Sequence, residues 1–371
     1  MREWQKSGFK NLPQGWEIVR LGDIAEIIMG SSPKSSAYNQ VGDGLPLIQG
    51  KGDLKDRYPA PKCYTSKITK ACKEGDIILS VRAPVGYVAK SAYDACIGRG
   101  VCAIRAENRD FLYFVLIFME NAWLGRGSIF EAVNKDEVKK FRLPLPPLKE
   151  QEKIAEILNL WDAQIAEVQD LIYHKQRLKT GLMQKLFTQS LHFKGFAESW
   201  SKVRLGDITE IKRGQTITEA TRIDGDIPVI AGGKQPAYFC DRYNRTGENI
   251  TISSSGTAGF VNYFATPIFA SDCFTIQGLE NLAITKYLYY YLKSIQNKIY
   301  SLQSGSVQTH VYPSDMEGMR LHLPPLKEQE KIAEILSVAD EEIELLVQKH
   351  QALETQKRAL MQRLLTGKVR V

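Results

Sequence analysis

The chain has 371 residues, 43% of them apolar and 25% charged, with a formal net charge of +7. Its length allows two or three domains with cores of their own, and its composition excludes a disordered chain. The opening "MREWQKSGFKNLPQGW" holds no apolar stretch, so no signal peptide is expected, and the densest apolar run, Phe111–Met119, falls short of the about 20 residues that cross a bilayer. A soluble, cytoplasmic protein with no membrane partner is predicted.

In chain order, "WEIVRLGDIAEI" (Trp16–Ile27) and "LPLI" (Leu45–Ile48) lead into β-branched runs at Ile77–Val81 and Gly86–Val88. Gly, Pro and Asp turns set these runs off, and they predict strands. Phe111–Met119 predicts a buried helix. Beyond Pro146-Pro147, apolar residues at Ile154, Leu158, Trp161, Ile165, Val168 and Ile172 step by four and three, the stripe of a coiled-coil seam. It resumes at Leu182 and Leu186 after Lys175 and Lys179 take two seam positions.

The second half repeats this order. "WSKVRLGDITEI" (Trp200–Ile211), "IPVI" (Ile227–Ile230), "NITISSSGTAGFV" (Asn249–Val261) and "YYYL" (Tyr289–Leu292) answer segments of the first half. A second seam follows through Ile332, Leu336, Ala339, Ile343, Leu346, His350, Leu353, Lys357, Leu360 and Leu364. "LPPLKEQEKIAEIL" recurs unchanged at Leu145–Leu158 and Leu323–Leu336. The chain is therefore two versions of one module, each a variable globular domain followed by a near-constant helix. The predicted boundaries are 1–147 and 189–325 for the globular domains, and 148–188 and 326–371 for the helices with the tail.

Charge orients the helices. Residues 150–170 hold six acids and one base, and 171–187 hold four bases and no acid; the second copy shows the same gradient. Parallel helices would set like against like, whereas antiparallel helices lay each acidic half along a basic one. Each helix is expected to run about 38 residues, about 57 Å. The fold class expected is α/β: two pseudo-twofold-related mixed α/β domains separated by a long antiparallel two-helix coiled coil.

Residues 1–147 carry six more Lys and Arg than Asp and Glu, which favours a polyanion on the globular parts. The matched loops "SVRAPVG" and "SSSGTAG" present small residues and hydroxyls that let a backbone approach phosphates or base edges. Ser80, Ser253, Ser254, Ser255 and Thr257 are the candidate contacts there. Arg82 and Arg99 are candidates to read guanine or clamp phosphate. Lys34, Lys51, Arg126, Arg213, Lys234, Arg242 and Arg245 complete the DNA-facing set. Two related but unlike domains suit a split, asymmetric target on duplex DNA.

Over 143–158 and 321–336, fifteen of sixteen positions match, although a seam constrains only inward residues. Identical outward faces are what two copies of one partner need. The residues expected on those faces are Lys149, Gln151, Glu152, Lys153 and Glu156, with Lys327, Gln329, Glu330, Lys331 and Glu334. The six cysteines lack metal-ligand pairing and are expected as buried free thiols. The five histidines show no ligand spacing either, so no metal site is predicted.

"WEIVRLGDI", the small-residue loop ending in "GYV" or "GFV", "LPLPPLKEQEKIAEIL" and the repetition of all three resemble the specificity subunit of type I restriction–modification systems, over essentially the whole chain. The resemblance implies that each globular domain is a target-recognition domain. It also implies that the helices set the gap and dock two methyltransferase subunits, and that restriction/translocase subunits join the full complex. S-adenosylmethionine would sit on the methyltransferase partners, with no cofactor in this chain. A stand-alone DNA methyltransferase is the first alternative. The chain lacks an Asn/Asp-Pro-Pro-aromatic loop and a G-x-x-x-x-G-K-[ST] loop, so it is expected to be non-catalytic. A two-headed protein scaffold is the second.

Overall fold

The computed structural model describes residues 12–122, 132–196, 198–217, 223–305 and 308–371. The chain divides into two compact units, Met1–Val168 with Lys349–Val371, and Gln169–Gln348. Each unit thus holds one globular part, half of the helix Leu148–Phe187 and half of the helix Leu326–Leu364.

In the first unit, Val88–Lys90, Ile77–Ser80, Val101–Ala106 and Ala25–Met29 form an antiparallel four-stranded sheet in that order. The second unit repeats it with Val261–Phe264, Asn249–Ser253, Cys273–Gly278 and Thr209–Arg213. A smaller sheet accompanies each, built around one parallel pair: Leu45–Ile48 with Ala95–Ile97, and Ile227–Ile230 with Phe269–Ala270. The apolar run at residue 111 forms the helix Arg109–Phe118, capped by Asn108 and buried from Phe111 to Leu116. Its counterpart is Thr285–Ser294. Five cysteines are buried and Cys63 is half-buried, all free; burial pushes the thiols of Cys102 and Cys273 up to about 12.

One core difference shows how the copies diverged without losing the fold. Asp76, fully buried, accepts two hydrogen bonds from Arg105 (3.1 and 2.7 Å). The matching positions in the second unit are neutral. Asn249 donates to the carbonyls of Thr246 and Gly247, and Gln277 to those of Thr246 and Glu248. An ion pair has been exchanged for a pair of amides, each bonded to backbone.

The start of each globular part pairs with the strand that precedes its long helix: Glu17–Arg20 with Arg142–Leu145, and Ser201–Arg204 with Arg320–Leu323. Just inside the helices, Trp16 donates to buried Glu150 (3.1 Å) and Trp200 to buried Glu328 (3.0 Å). Gln151 donates to the Pro146 carbonyl and Gln329 to that of Pro324, while Gln329 also accepts from the Ile284 N–H. Gln151 and Gln329, expected on the outward face, are buried at 9% and 1% exposure. At the double proline each amide satisfies the carbonyl that the bend leaves free, and Gln329 uses its oxygen as well for the N–H of Ile284, which precedes the helix Thr285–Ser294.

The long helices run antiparallel in each unit. In the second, Lys175 pairs with Glu342 at 2.6 Å and Lys179 with Asp340, so positions rise along one helix as they fall along the other. In the first, Lys357 pairs with Asp162. The lysines at seam positions are thus matched to acids across the seam. Ile154 and Leu158 share the first core with Met361 and Leu364, and Met183 and Leu186 share the second with Ile332 and Leu336. Each globular part is therefore closed by the beginning of one helix and the end of the other. In the first unit the tail finishes the closure: Arg370 makes a two-pronged ion pair with Glu150 (3.0 and 2.7 Å) and donates to the Gln14 carbonyl.

Two outcomes follow from these contacts. Asp76→Asn leaves Arg105 only the exposed Glu26 (3.3 Å) and should cost about 2 kcal/mol in urea unfolding, below the roughly 3–5 kcal/mol of a fully enclosed pair because Arg105 keeps that acid and 29% exposure. Adding Arg105→Gln should recover at least half of that loss; a strictly additive double variant would contradict the exchange. The Arg370 hydrogen bonds, and then Trp16, hold the Glu150 carboxyl below its ordinary range against the opposing effect of burial. A depressed carboxylate stabilises the fold above its unfolded value, about 4.3, and that stability is lost as pH falls through the folded value. Arg370→Ala should therefore lower the melting temperature at pH 7, with the difference from the parent shrinking steadily below about pH 4.

Candidate nucleic-acid interface and docking face

In the first unit four loops meet at one edge of the sheets. Gly30 donates to the Val101 carbonyl, Ser31 to Ile97, Gly98 to Ile48 and Val81 to Gly100. The approach is close enough that a Cβ on Gly30 would lie 2.1 Å from the Gly98 oxygen, so only glycine fits. The loops carry Lys34, Lys51, Arg82 and Arg99, four of the cations expected at a polyanion, onto one edge. Lys34, Arg82 and Arg99 are exposed, and their side chains have no partner among the described residues.

The second unit builds the same edge. Gly214 donates to the Cys273 carbonyl, with a Cβ there 2.0 Å from the Ser271 oxygen; Ser271 donates to Ile230 and Ser254 to Asp272. Its chemistry differs. Three residues separate the paired positions Ile97 and Val101, but only two separate Ala270 and Cys273, so Arg99 is the extra residue of the first unit. Ser255 stands where the first unit has Arg82, and its hydroxyl donates to Asp272. The edge carries the exposed cations Arg213 and Lys234 together with an acid.

Several candidate hydroxyls are turned inward. Ser80 is buried; its hydroxyl donates to the Pro84 carbonyl (2.8 Å) and accepts from the Tyr87 N–H (2.9 Å), so it ties the loop together. Ser253 and Ser255 are buried, and Thr257 donates to the Gly232 carbonyl at 2.7 Å. Ser254 is half-buried and joins through its backbone, accepting from Val311. Arg245 spends its guanidinium on Thr275 and on the carbonyls of Asn244 and Arg213, bracing the sheet end. Arg242 is exposed beside Asp241. Arg126 lies outside the described residues.

The aromatic of each loop was missed as a functional candidate, although "GYV" and "GFV" mark it in both copies. Tyr87 lies under Lys51 and Arg57, each 4.7 Å from the ring centre. Phe260 lies under Lys293 at 4.3 Å and Lys234 at 5.7 Å.

On the long helices, the outward residues of the repeated segment are Lys149, Glu152, Lys153 and Glu156, with Lys327, Glu330, Lys331 and Glu334, all exposed. Lys153–Glu156 and Lys331–Glu334 make the same 2.7 Å ion pair. One turn on, Leu160 and Val338 stand 60% and 59% exposed at equivalent positions. In the first unit Glu152 and Glu156 border a cleft of about 560 Å³ that also meets Lys90, Arg109, Asp110 and Asn159. No helix among the described residues is long and apolar enough to cross a membrane.

Comparison with known proteins agrees with this duplicated design. The family described as "Type I restriction modification DNA specificity domain" matches residues 13–172 and again 197–355. A putative type I restriction enzyme specificity subunit, MjaX, from Methanocaldococcus jannaschii is 36% identical over 201 residues, 52% of this chain and 47% of that protein. The chain thus spans about half the length of that relative. The MjaVIII specificity subunit of the same organism is 23% identical across 100% of this chain and 98% of its own. The solved S subunit of a type I restriction–modification system from M. genitalium shares the fold, with a TM-score of 0.70 at 18% identity over 96% of this chain and 97% of that one. With two matched domains, each carrying its own cationic loop edge and its own helix segment, the chain belongs to the type I restriction–modification DNA specificity family.

Proposed function

We propose that this chain is the sequence-specific DNA-recognition subunit of a type I restriction–modification complex, each globular domain reading one half of a bipartite, asymmetric site. The observation that carries the proposal is the duplicated loop edge: one scaffold, presenting Lys34, Lys51, Arg82 and Arg99 in one copy and Arg213 and Lys234 beside an acid in the other. Equal scaffolds with unequal charged side chains suit two different short sequences. Arginine at Arg82 and Arg99 matches the paired acceptors of guanine in the major groove. The buried hydroxyls of Ser80, Ser253 and Ser255 act by shaping the loops.

The antiparallel helices, 40 and 39 residues long, serve as the ruler between the two half-sites. The repeated outward faces, Lys149, Glu152, Lys153 and Glu156 with Lys327, Glu330, Lys331 and Glu334, each dock one methyltransferase subunit. The exposed Leu160 and Val338 extend both faces with an apolar contact, which a solvated helix has no reason to keep at matched positions. Methyl transfer and S-adenosylmethionine belong to those partners; this chain supplies the address and no catalytic residue. Restriction/translocase subunits join through the assembled complex.

Footprinting of the complex tests the reading. Two short protected tracts should flank a weakly protected gap. Inserting one heptad in both helices adds about 10.5 Å and should widen the gap by about three base pairs with the tracts unchanged; an unaltered gap removes the ruler. For docking, Glu152→Lys combined with Lys153→Glu should take one methyltransferase copy out of the complex by native mass spectrometry, and the same exchange at Glu330 and Lys331 the other. Full stoichiometry in both variants would refute the docking faces.

A further inference from the structure

The two loop edges differ in nearly every charged side chain, yet one arrangement is kept. Tyr87 and Phe260 occupy the same place, one residue after Gly86 and Gly259, whose N–H groups donate to the Ser80 and Ser253 carbonyls at 2.9 and 2.8 Å. Both glycines have positive φ, +97° and +82°. Over each ring lie two cations. The inner one is pinned. In the first unit Arg57 donates to the Val88 carbonyl (3.1 Å) and is gripped by Glu120 (2.8 and 2.9 Å). In the second, Lys293 donates to the matching Val261 carbonyl (2.9 Å). Even the carboxylate has its substitute, because the Val88 N–H donates to Glu120 and the Val261 N–H to Gln296. A turn residue in one copy and a helix residue in the other therefore do the same task.

The outer cation is the loop lysine. Lys51 and Lys234 follow the matching strands Leu45–Ile48 and Ile227–Ile230, but Lys234 comes one residue later in its loop. The ammonium reaches the same ring by a shifted route. Neither lysine has an ion pair or side-chain hydrogen bond among the described residues. A cation over an aromatic face is held in orientation while its protons stay available. Burial first, and then the nearby charges of Lys179 and Lys234, hold the Lys293 ammonium below its ordinary value, so positive charge is crowded around Lys293.

We propose that Lys51 and Lys234 are matched anchors for DNA phosphates, placed by the rings of Tyr87 and Phe260, which hold each domain on the duplex without reading bases. The proposal rests on the DNA-recognition reading above. What survives between two domains that read different sequences is the part of the contact that is independent of sequence, and the phosphate is that part. An ammonium suits it: a compact charge without the planar fork that arginine offers to guanine. Arg82 and Arg99, absent from the second copy, are the reading side chains of the first. Arg57 and Lys293 are positioning residues that fix the ring.

The test uses the full chain assembled with its methyltransferase subunits and three duplexes: the site mapped by methylation sequencing of the host, that site with its first half scrambled, and that site with its second half scrambled. Lys51→Ala and Lys234→Ala should each weaken all three by one common factor, about three- to tenfold, and reduce the slope of log affinity against log salt by about 1. Discrimination between the duplexes should stay as in the parent, and Lys51→Arg should restore the slope. Arg82→Ala, in contrast, should erode the preference for the intact first half. Tyr87→Leu, which keeps the lysine and removes its support, should fall between the parent and Lys51→Ala. A changed preference at unchanged slope would make Lys51 a base reader, and an unchanged affinity would make it a bystander; either result overturns the proposal. Failure of the parent complex to prefer the mapped site would instead sink the recognition reading itself.

Discussion

Everything else in this protein hangs on a lysine and an aspartate facing each other across two antiparallel helices. Lys179 meets Asp340, and Lys357 meets Asp162, at equivalent positions of the two copies. Each pair is covered by an aromatic ring from the helix of its own globular domain: Lys179 lies 5.1 Å from Tyr290, whose hydroxyl also donates to Asp340, and Lys357 lies 5.2 Å from Phe114. Polar groups in an apolar seam specify register, because any slip leaves a half-buried charge without its partner. The same clasp fixes helix to helix and domain to helix, so orientation and attachment are set together.

The inward residues of the repeated "KEQE" segment account for part of its invariance. Glu150 and Gln151, like Glu328 and Gln329, face inward and join the opening tryptophan, the proline bend and the helix start. Ile154 and Leu158, with their copies, fill the cores. Lys149, Glu152, Lys153 and Glu156 stay exposed. On the inward face little is left to vary. The copies are nonetheless unequal in one respect. The tail brings Arg370 onto Glu150, whereas Trp200 alone donates to Glu328 among the described residues.

At the loop edges, variation falls on side chains and on single-residue changes of loop length, while the frame of the sheet edge is kept. Gly30 and Gly214 permit the same close approach, Ser80 and Ser253 close the same turn, and the rings of Tyr87 and Phe260 keep their cations. Upon that constant frame, Arg82 gives way to Ser255, and Arg99 is a one-residue extension. A recognition surface can change its sequence preference in this way at small cost to the core, since none of these exchanges touches a buried apolar contact.

The sequence alone determined the duplication, the two long helices, their opposed direction and the strand-rich domains, because each is written in local periodicity, in charge gradients or in literal repetition. The helix at Arg109–Phe118 and the seam through Ile154 and Leu158 were legible for the same reason. Only the tertiary structure decided which way single polar side chains turn. Gln151 and Gln329 looked like surface residues and are buried, because the backbone groups that need them are exposed by a bend that periodicity does not encode. The hydroxyls of Ser80 and Ser255 looked available, but the first is consumed within its own loop and the second by Asp272 of the neighbouring loop. Lys34, Lys51, Arg82 and Arg99, scattered along the sequence, converge on one edge through hydrogen bonds between loops far apart in the chain. Repetition and periodicity are properties of the string, whereas satisfaction of polar groups depends on neighbours that only folding brings into reach.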